Sequence, residues 1–195
     1  GGFNVGHEGF PRMKSAAFRG EFPFAWIDFE EPGLPLKLSL EAWSPFVPLD
    51  DRISSMPAGV LTYRLENRGG ARLDALVAFH LQHMLGAAGG MVGCEVAAKK
   101  SGACEGLVFA NGRIPEESPA FSTFALATPH KGAILKAGWF RGGHYDARSI
   151  LWREIECGEL APQARSKPLD GAGPRAVTGG SLGVRVRLKP GEKRE

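Results

Sequence analysis

Alternating apolar and polar residues recur along this chain with a period of two, the pattern of β-strands that have one buried and one wet face. Four runs show it clearly: Leu36, Leu38, Leu40 and Ala42; Leu61, Tyr63 and Leu65; Val77, Phe79 and Leu81; and Leu182, Val184, Val186 and Leu188. Strands with one wet face are typical of antiparallel sheets. The chain is therefore predicted to be an all-β protein, an antiparallel β-sandwich of supersandwich-like type.

The segment 18–29 is strongly apolar, but its pattern changes parity. The apolar positions pass from Phe22, Phe24 and Trp26 to Ile27 and Phe29. A shift by one residue sends successive side chains to opposite faces, so it predicts a β-bulge or bend near Trp26. Pro23 has no backbone N–H to donate, which predicts an edge position for this strand.

One short helix is predicted near residues 147–157. Ala147, Ile150, Leu151 and Ile155 share one helical face, with Asp146 as a possible N-terminal cap and Gly158 as the end. Trp152 falls on the opposite, polar face, where a large aromatic ring needs a partner. The Gly- and Ala-rich segment 85–93 is predicted to be a flexible loop, and the segment 162–180 an exposed connection.

The end of the sequence predicts a truncated domain. The run that ends at Leu188 leads into a turn at Pro190 and Gly191, and the chain ends before any return strand. A hairpin with one arm leaves an unpaired edge, which natural domains usually avoid or cover. The strand 182–188 is therefore expected to be incompletely paired.

Composition and charge exclude several classes of protein. The 195 residues are 43% hydrophobic and 23% charged, with a net charge of +3, values typical of a single globular domain. The sequence lacks the sustained basic stripe that would indicate nucleic-acid binding. It also has no apolar stretch long enough for a transmembrane segment. Cys94, Cys104 and Cys157 lack metal-ligand spacing. Three reduced thiols in a cytoplasmic protein are favoured over a Cys94–Cys104 bridge with Cys157 left over.

No group of residues carries an evident active site. Three adjacent carboxylate pairs, Glu30-Glu31, Asp50-Asp51 and Glu116-Glu117, lie in turn-like contexts and are predicted to be solvated. His80 and His83 are three apart on a strand, which places them on opposite faces and argues against a shared metal ion. The tryptophans Trp26, Trp43, Trp139 and Trp152 could stack on sugar rings, but packing is favoured for each. We assign no catalytic residue, cofactor or metal ligand.

Several blocks of sequence resemble the N-terminal domain of glycoside hydrolase family 116, the bile-acid β-glucosidase or non-lysosomal glucosylceramidase family. Residues 18–29 are similar to its opening strand. The most specific block is 34–48, a strand that ends in Ser44-Pro45-Phe46 and is followed by Pro48. Ser54-Ser55-Met56-Pro57 and the run 60–67 resemble the next strand, and Trp139-Phe140 with residues 146–160 match more loosely.

This resemblance implies that residues 1–195 form a single N-terminal β-sandwich domain of a longer enzyme. The family pairs that domain with a C-terminal (α/α)6 barrel, which retains configuration while hydrolysing β-glucosides or glucosylated lipids. The resemblance also implies that both catalytic carboxylates belong to the barrel and that no metal takes part. The parent protein is thus expected to be a β-glucosidase or glucosylceramidase, and this segment to be inactive alone.

Two other interpretations stay open. One is a free-standing carbohydrate-binding or interaction module, and the other is a structural domain of an unrelated β-sandwich protein. If the segment supports a barrel, an apolar surface should face that partner. Trp152 is the leading candidate for the interface, and Trp139 is the second.

Overall fold

The computed structural model describes residues 10–84, 92–140, 147–169 and 179–195. The strands are β1 Ser15–Glu21, β2 Phe24–Glu30, β3 Leu36–Trp43, β4 Val60–Asn67, β5 Leu73–Gln82, β6 Cys94–Ser101, β7 Cys104–Asn111, β8 Phe124–Thr128, β9 Ile134–Lys136, β10 Gly179–Leu188 and β11 Lys193–Arg194; the helices are α1 Asp51–Ser54 and α2 Ala147–Glu156. The predicted all-β antiparallel fold with a short helix at 147–157 is confirmed. By the pattern of contacts the chain forms two compact units.

One unit comprises His7–Ala75 and Val186–Glu195, and we call it the N-terminal unit. Its five-stranded antiparallel sheet has the strand order β1-β2-β3-β4-β11. The register places the rows Ala17, Asp28, Ser39, Arg64 and Arg19, Trp26, Glu41, Thr62 side by side on one face. The intervening positions form the other face, with Phe18, Ile27, Leu40 and Leu61 among them. One face is therefore mostly polar and the other apolar, as the alternation predicts, although the row Phe24, Trp43 and Val60 makes one end of the polar face apolar.

The segment 18–29 is a hairpin, and the predicted bulge near Trp26 is wrong. Strands β1 and β2 pair without interruption from Ser15↔Glu30 to Glu21↔Phe24. Phe22 and Pro23 form the connection between the strands, so Pro23 occupies the turn and not an edge strand. The change of parity arises because β2 carries Phe24 and Trp26 on one face and Ile27 and Phe29 on the other, so apolar residues occupy both faces of a regular strand.

The other unit lies within Leu76–Arg185, and we call it the central unit. It contains the sheet β6-β7-β8 and most of the sheet β5-β10-β9, since the first residues of β5 and the last of β10 belong to the N-terminal unit. These sheets pack on a core of Val96, Leu107, Phe109 and Ala137, joined by Leu81, Phe124, Leu126 and Leu135. At Gly180 the sheets approach so closely that an added Cβ would lie 2.6 Å from Leu107 Cδ1. This layered arrangement around one core is that of a β-sandwich.

The segment 162–166 does more than connect elements, which corrects the prediction of a simple exposed connection. The Ala137 and Ala98 amides donate to the carbonyls of Gln163 and Ala164, and the Ser166 amide donates to Val96. Although its first side chains are exposed, this backbone pairs with β9 on one side and β6 on the other. Residues 170–178 of the predicted connection and residues 85–91 of the predicted loop lie outside the described residues.

Helix α2 ends where the sequence predicts. Gly158 adopts a φ of 67°, its amide donates to the Ile155 carbonyl, and the Glu159 amide donates to the Glu154 carbonyl. These two bonds make a Schellman motif with Gly158 at the left-handed position. Leu151 and Ile155 face a cluster with Trp139 and Leu160, as the helical pattern predicts. The proposed cap Asp146 lies outside the described residues.

The end of the chain differs from the prediction of an unpaired last strand. Strand β10, which contains 182–188, lies between β5 and β9 and is the middle strand of its sheet. After a turn at Lys189–Glu192, the short strand β11 pairs with β4 through Lys193↔Glu66 and Arg194↔Leu65. A return strand is present but joins a different sheet, which local sequence patterns cannot reveal. No helix in the described ranges is long and apolar enough to cross a membrane.

Candidate functional site

The adjacent carboxylate pairs have local structural roles. The Asp50 carboxylate caps α1 by accepting from the Ile53 amide at 3.0 Å. Glu30 accepts from the Ser15 hydroxyl, and Glu31 accepts from the Lys14 amide, both at 3.0 Å. Glu116 and Glu117 are exposed. Caps and turns of this kind explain Asp50, Glu30 and Glu31 without any reaction.

The two histidines of the His80–His83 segment bond to different groups. Nδ1 of His80 lies 2.8 Å from the Ser181 hydroxyl, while Nε2 of His83 lies 2.9 Å from the Ala110 carbonyl. A carbonyl oxygen can only accept, so His83 carries its proton on Nε2. Burial lowers the pKa of both imidazoles below the ordinary value, which favours the neutral rings.

Trp139, Ser181 and His80 form a buried polar chain. The Trp139 indole donates to Ser181 Oγ at 2.9 Å, so the single Ser181 proton is available for His80 Nδ1. Ser181 is fully buried and Trp139 is 9% exposed. A hydroxyl beside an imidazole also occurs in nucleophilic sites, but a substrate needs access to it. The hydrogen bonds among Trp139, Ser181 and His80 instead satisfy polar groups inside the central unit.

Cys94, Cys104 and Cys157 form no disulfide within the described residues. Cys94 pairs with Asn111 at one end of the β6–β7 hairpin, whereas Cys104 pairs with Ser101 at the other. At about 3.4 Å per residue, seven residues of β7 separate the two positions, so they cannot form a disulfide. In the described ranges no cluster of His, Cys, Asp and Glu has the composition of a metal site.

Trp152 lies on the outer side of α2 and is partly exposed, with the exposed side chains Ser149, Arg153 and Glu156 nearby on the same face. On the inner side, Glu154 accepts from the nearly buried Lys136 ammonium at 3.0 Å. Trp139, the second interface candidate, is a core residue packed with Leu151 and Leu160. Of the two tryptophans, Trp152 is the more exposed.

The N-terminal unit exposes an apolar cluster at one end of its sheet. That end contains the β1–β2 turn, the end of β3, the loop 44–59 and the start of β4, because Phe24, Trp43 and Val60 lie in one row of the register. We call this cluster the apolar end; its exposed members are Phe22, Phe24, Phe46, Val47, Leu49, Ile53, Met56 and Val60. Most exposed large apolar side chains of the described chain belong to it.

An ordered backbone holds the apolar end in place. Ser54 Oγ accepts from the Val47 amide at 3.1 Å and lies 2.9 Å from the Val47 carbonyl, to which it donates. The Asp50 amide donates to the same carbonyl, which closes a turn around Leu49. The Phe22 and Phe46 rings meet edge to face at 4.9 Å. The backbone that carries these exposed apolar side chains is thus ordered, as in pre-organised binding surfaces.

Sequence reasoning did not find the apolar end, although the signal was present. Its central loop carries Phe46, Val47, Leu49, Ile53 and Met56 among prolines, with neither the strand nor the helix period. Apolar residues without a period cannot all face the core of their own element, and this property could have marked a contact surface.

Comparison with known families gives one match. A family model described as "beta-glucosidase 2, glycosyl-hydrolase family 116 N-term" matches residues 5–195. The match covers nearly the whole chain, including the loop 44–59 that builds the apolar end. The chain therefore belongs to glycosyl-hydrolase family 116, as part of its N-terminal region.

Proposed function

We propose that this chain is a non-catalytic β-sandwich domain of a retaining β-glucosidase, and that it supports a C-terminal (α/α)6 barrel of the same protein. The barrel holds both catalytic carboxylates and acts on a β-glucoside or on a glucosylated lipid such as glucosylceramide. No cofactor is required. We further propose that the enzyme is cytoplasmic, either free or peripheral to a membrane. The family match supports the enzyme class.

The apolar end is the observation that carries this proposal. Eight exposed apolar side chains on a hydrogen-bonded scaffold are unfavourable in water and favourable against a second apolar surface. Interfaces between domains of one chain commonly bury about 600–1,500 Å², and a cluster of this kind can supply the centre of such an interface. The barrel is the proposed occupant.

Trp152 is proposed as a further contact with the barrel. Its ring is partly exposed among polar side chains of α2, and tryptophan is enriched at the centres of interfaces. Trp139 packs in the same cluster as Leu151 of α2. Its proposed part in the interface is therefore indirect, because it holds the helix that presents Trp152.

Charged substitutions in the apolar end test the proposal in the complete enzyme. Leu49→Asp or Met56→Asp places an unpaired carboxylate in the interface, which is expected to cost about 2 kcal/mol or more. We expect a lower melting temperature for the enzyme and lower kcat/KM on an aryl β-glucoside. Met84→Asp, at an exposed apolar residue of the central unit, is the matched control. Equal behaviour of all three variants and the wild type would contradict the proposal.

Residues 1–195 alone provide the second test. The proposal predicts that this chain does not hydrolyse an aryl β-glucoside, because retention needs two carboxyl groups about 5 Å apart in one site. Hydrolysis by the purified chain that disappears when one of its own carboxylates is replaced would overturn it. Met56→Asp should leave the melting temperature of the isolated chain nearly unchanged, since Met56 is exposed and substitutions at exposed sites usually have small effects.

A further inference from the structure

The polar face of the N-terminal sheet contains a shallow pocket of about 230 Å³. The side chains that line it from this face come from four adjacent strands: Ala17 and Arg19 of β1, Trp26 and Asp28 of β2, Ser39 of β3 and Arg64 of β4. The row Ala17, Asp28, Ser39 makes a floor of small side chains, with Arg64 at its end. Trp26 and Arg19, from the next row, rise beside this floor.

Phe18 and Leu40 also line the pocket. They alternate with the polar positions along β1 and β3, so their side chains belong to the apolar face and only their backbone is expected to reach the pocket. A volume of this size is below the roughly 300–1,000 Å³ of sites for drug-sized ligands. It suits one or two rings of a small polar ligand.

Several polar groups in the pocket have unused hydrogen-bonding capacity. Within the described part of the chain, no side-chain hydrogen bond or ion pair is found for Asp28 or Ser39. Arg19 contacts Trp26 through its guanidinium, 4.2 Å from the ring centre. The pocket therefore offers a carboxylate acceptor, a hydroxyl and guanidinium donors to a ligand.

Trp26 is a fixed aromatic wall. Its indole donates to Glu41 Oε2 at 3.0 Å, and Phe24 stacks on it with ring centres 5.7 Å apart. Both contacts restrict rotation of the ring, so a ligand would lose little entropy by ordering it. The exposed Arg19 guanidinium covers the ring at 4.2 Å, so a ligand reaches the ring by displacing this contact, which is weak at an exposed site. A ring opened in this way beside hydrogen-bonding groups matches a ligand that has both C–H surfaces and hydroxyl groups.

The charges of the pocket favour a neutral ligand. Glu41 and Glu195 accept from the Arg64 guanidinium at 3.2 and 3.1 Å, and so compensate it. Asp28 and Arg19 carry one charge of each sign. An anion would meet the Asp28 carboxylate, and a cation would meet two guanidinium groups, whereas a hydroxyl can pair with either.

We propose that this pocket, the Trp26–Asp28 site, binds a neutral saccharide. Asp28 accepts hydrogen bonds from sugar hydroxyls, Arg19 and Ser39 complete the hydrogen bonding, and Trp26 contacts the C–H surface of the ring. The site lies outside any barrel and does not depend on one. It gives the sheet a binding role in addition to support.

The test measures binding of cellotetraose, a neutral glucose tetrasaccharide, to residues 1–195 by calorimetry, because the active site of a complete β-glucosidase would also bind and hydrolyse it. The indole N–H resonance of Trp26, identified by its loss in Trp26→Phe, gives a local reading at the pocket. We expect saturable binding with a Kd in the millimolar range or tighter, and a shift of that resonance. Asp28→Asn should weaken binding at least about tenfold, since hydrogen bonds to charged acceptors are among the stronger ones.

Asp74→Asn is the matched control, because Asp74 is an exposed aspartate on β5 that pairs only at the surface with Arg72 and Arg187. It should leave the Kd unchanged. Cellotetraose that leaves the Trp26 resonance unmoved, or binding that Asp28→Asn does not weaken, would overturn the proposal. So would tighter binding of a sulfated glucose oligosaccharide, which would make this an anion site. None of these outcomes depends on Leu49 or Met56, so the interface proposal is tested separately.

Discussion

At the scale of single residues, Leu49 combines two unfavourable properties. It adopts a φ of 65°, a left-handed conformation that costs most L-residues roughly 1–2 kcal/mol, and its side chain is fully exposed. Neither property helps the isolated chain. A strained, exposed apolar residue on an ordered turn is therefore best explained by a contact that the chain makes with a partner.

Replacing Leu49 separates stability from binding. Leu49→Asn should stabilise the isolated chain by about 0.5–1 kcal/mol, because asparagine tolerates the left-handed region and no packing is lost. Urea unfolding measures the change. Leu34→Asn is the control, because Leu34 is also exposed but does not have a positive φ. A loss of stability in Leu49→Asn alone would show that Leu49 already packs within the chain.

The buried histidines make stability depend on pH. Their folded-state pKa values lie below the ordinary 6.5, so the unfolded chain takes up protons first as the pH falls. Their contribution is complete above pH 6.5 and declines as the pH drops through 6.5 towards the folded-state values. Chemical denaturation at pH 7.5 and 5.5 should show lower stability at pH 5.5. NMR titration of His80 and His83 should give midpoints below 6.5, and midpoints above it would contradict this explanation.

At the scale of elements, regular alternation predicted the strands well, while pairing between distant segments was not predictable. The runs at Leu36, Leu61, Val77 and Leu182 all fall in strands. The hairpin at Phe22 and Pro23 was missed because neither residue is a usual two-residue hairpin turn former, and the apolar pattern continues across it. Register information alone shows that the chain reverses there.

Two other errors have the same origin. The segment 162–166 looks like a loop because its composition is polar, yet its backbone pairs with β6 and β9. Strand β10 looked unpaired because its neighbours β5 and β9 are distant in sequence. The apolar end was missed for a related reason, since Phe24, Trp43 and Val60 form one row only after β2, β3 and β4 pair. Pairing between distant segments creates these features, and local sequence patterns do not show which distant segments pair.

The end of α2 was predictable because it is local, and it supports a sharp prediction. Gly158 has a φ of 67°, and the nearest atom to an added Cβ would be Arg185 Nη1 at 3.9 Å. Space is therefore available, and only backbone strain opposes a side chain. Gly158→Ala should destabilise the chain by about 1 kcal/mol. Thermal unfolding measures this loss of stability. Gly70→Ala is the control and should change stability much less, because a side chain at Gly70 also has space and the backbone there does not have a positive φ.

At the scale of the whole chain, charge and exposed surface favour self-association. The net charge is only +3 at pH 7 and the isoelectric point is about 8.9. Electrostatic repulsion between copies is therefore weak and vanishes near pH 9. Charge repulsion then does not prevent copies from associating through the apolar end or through the edge strand β1, whose seven residues are all exposed.

Strand β1 is the expected site of contact between copies, because an edge strand presents unpaired N–H and C=O groups to any second strand. Phe18, on its apolar face and 70% exposed, adds apolar area to that edge. Light scattering after size-exclusion chromatography of the isolated chain should show oligomers that increase with concentration and from pH 7 to pH 9. Phe18→Lys should suppress them, since a lysine on an edge strand opposes pairing. Met84→Lys adds the same charge away from the edge and should suppress them much less, which separates edge pairing from net repulsion. A monodisperse monomer at pH 9 and high concentration would show that β1 is protected in solution, and the exposed edge would then have no part in association.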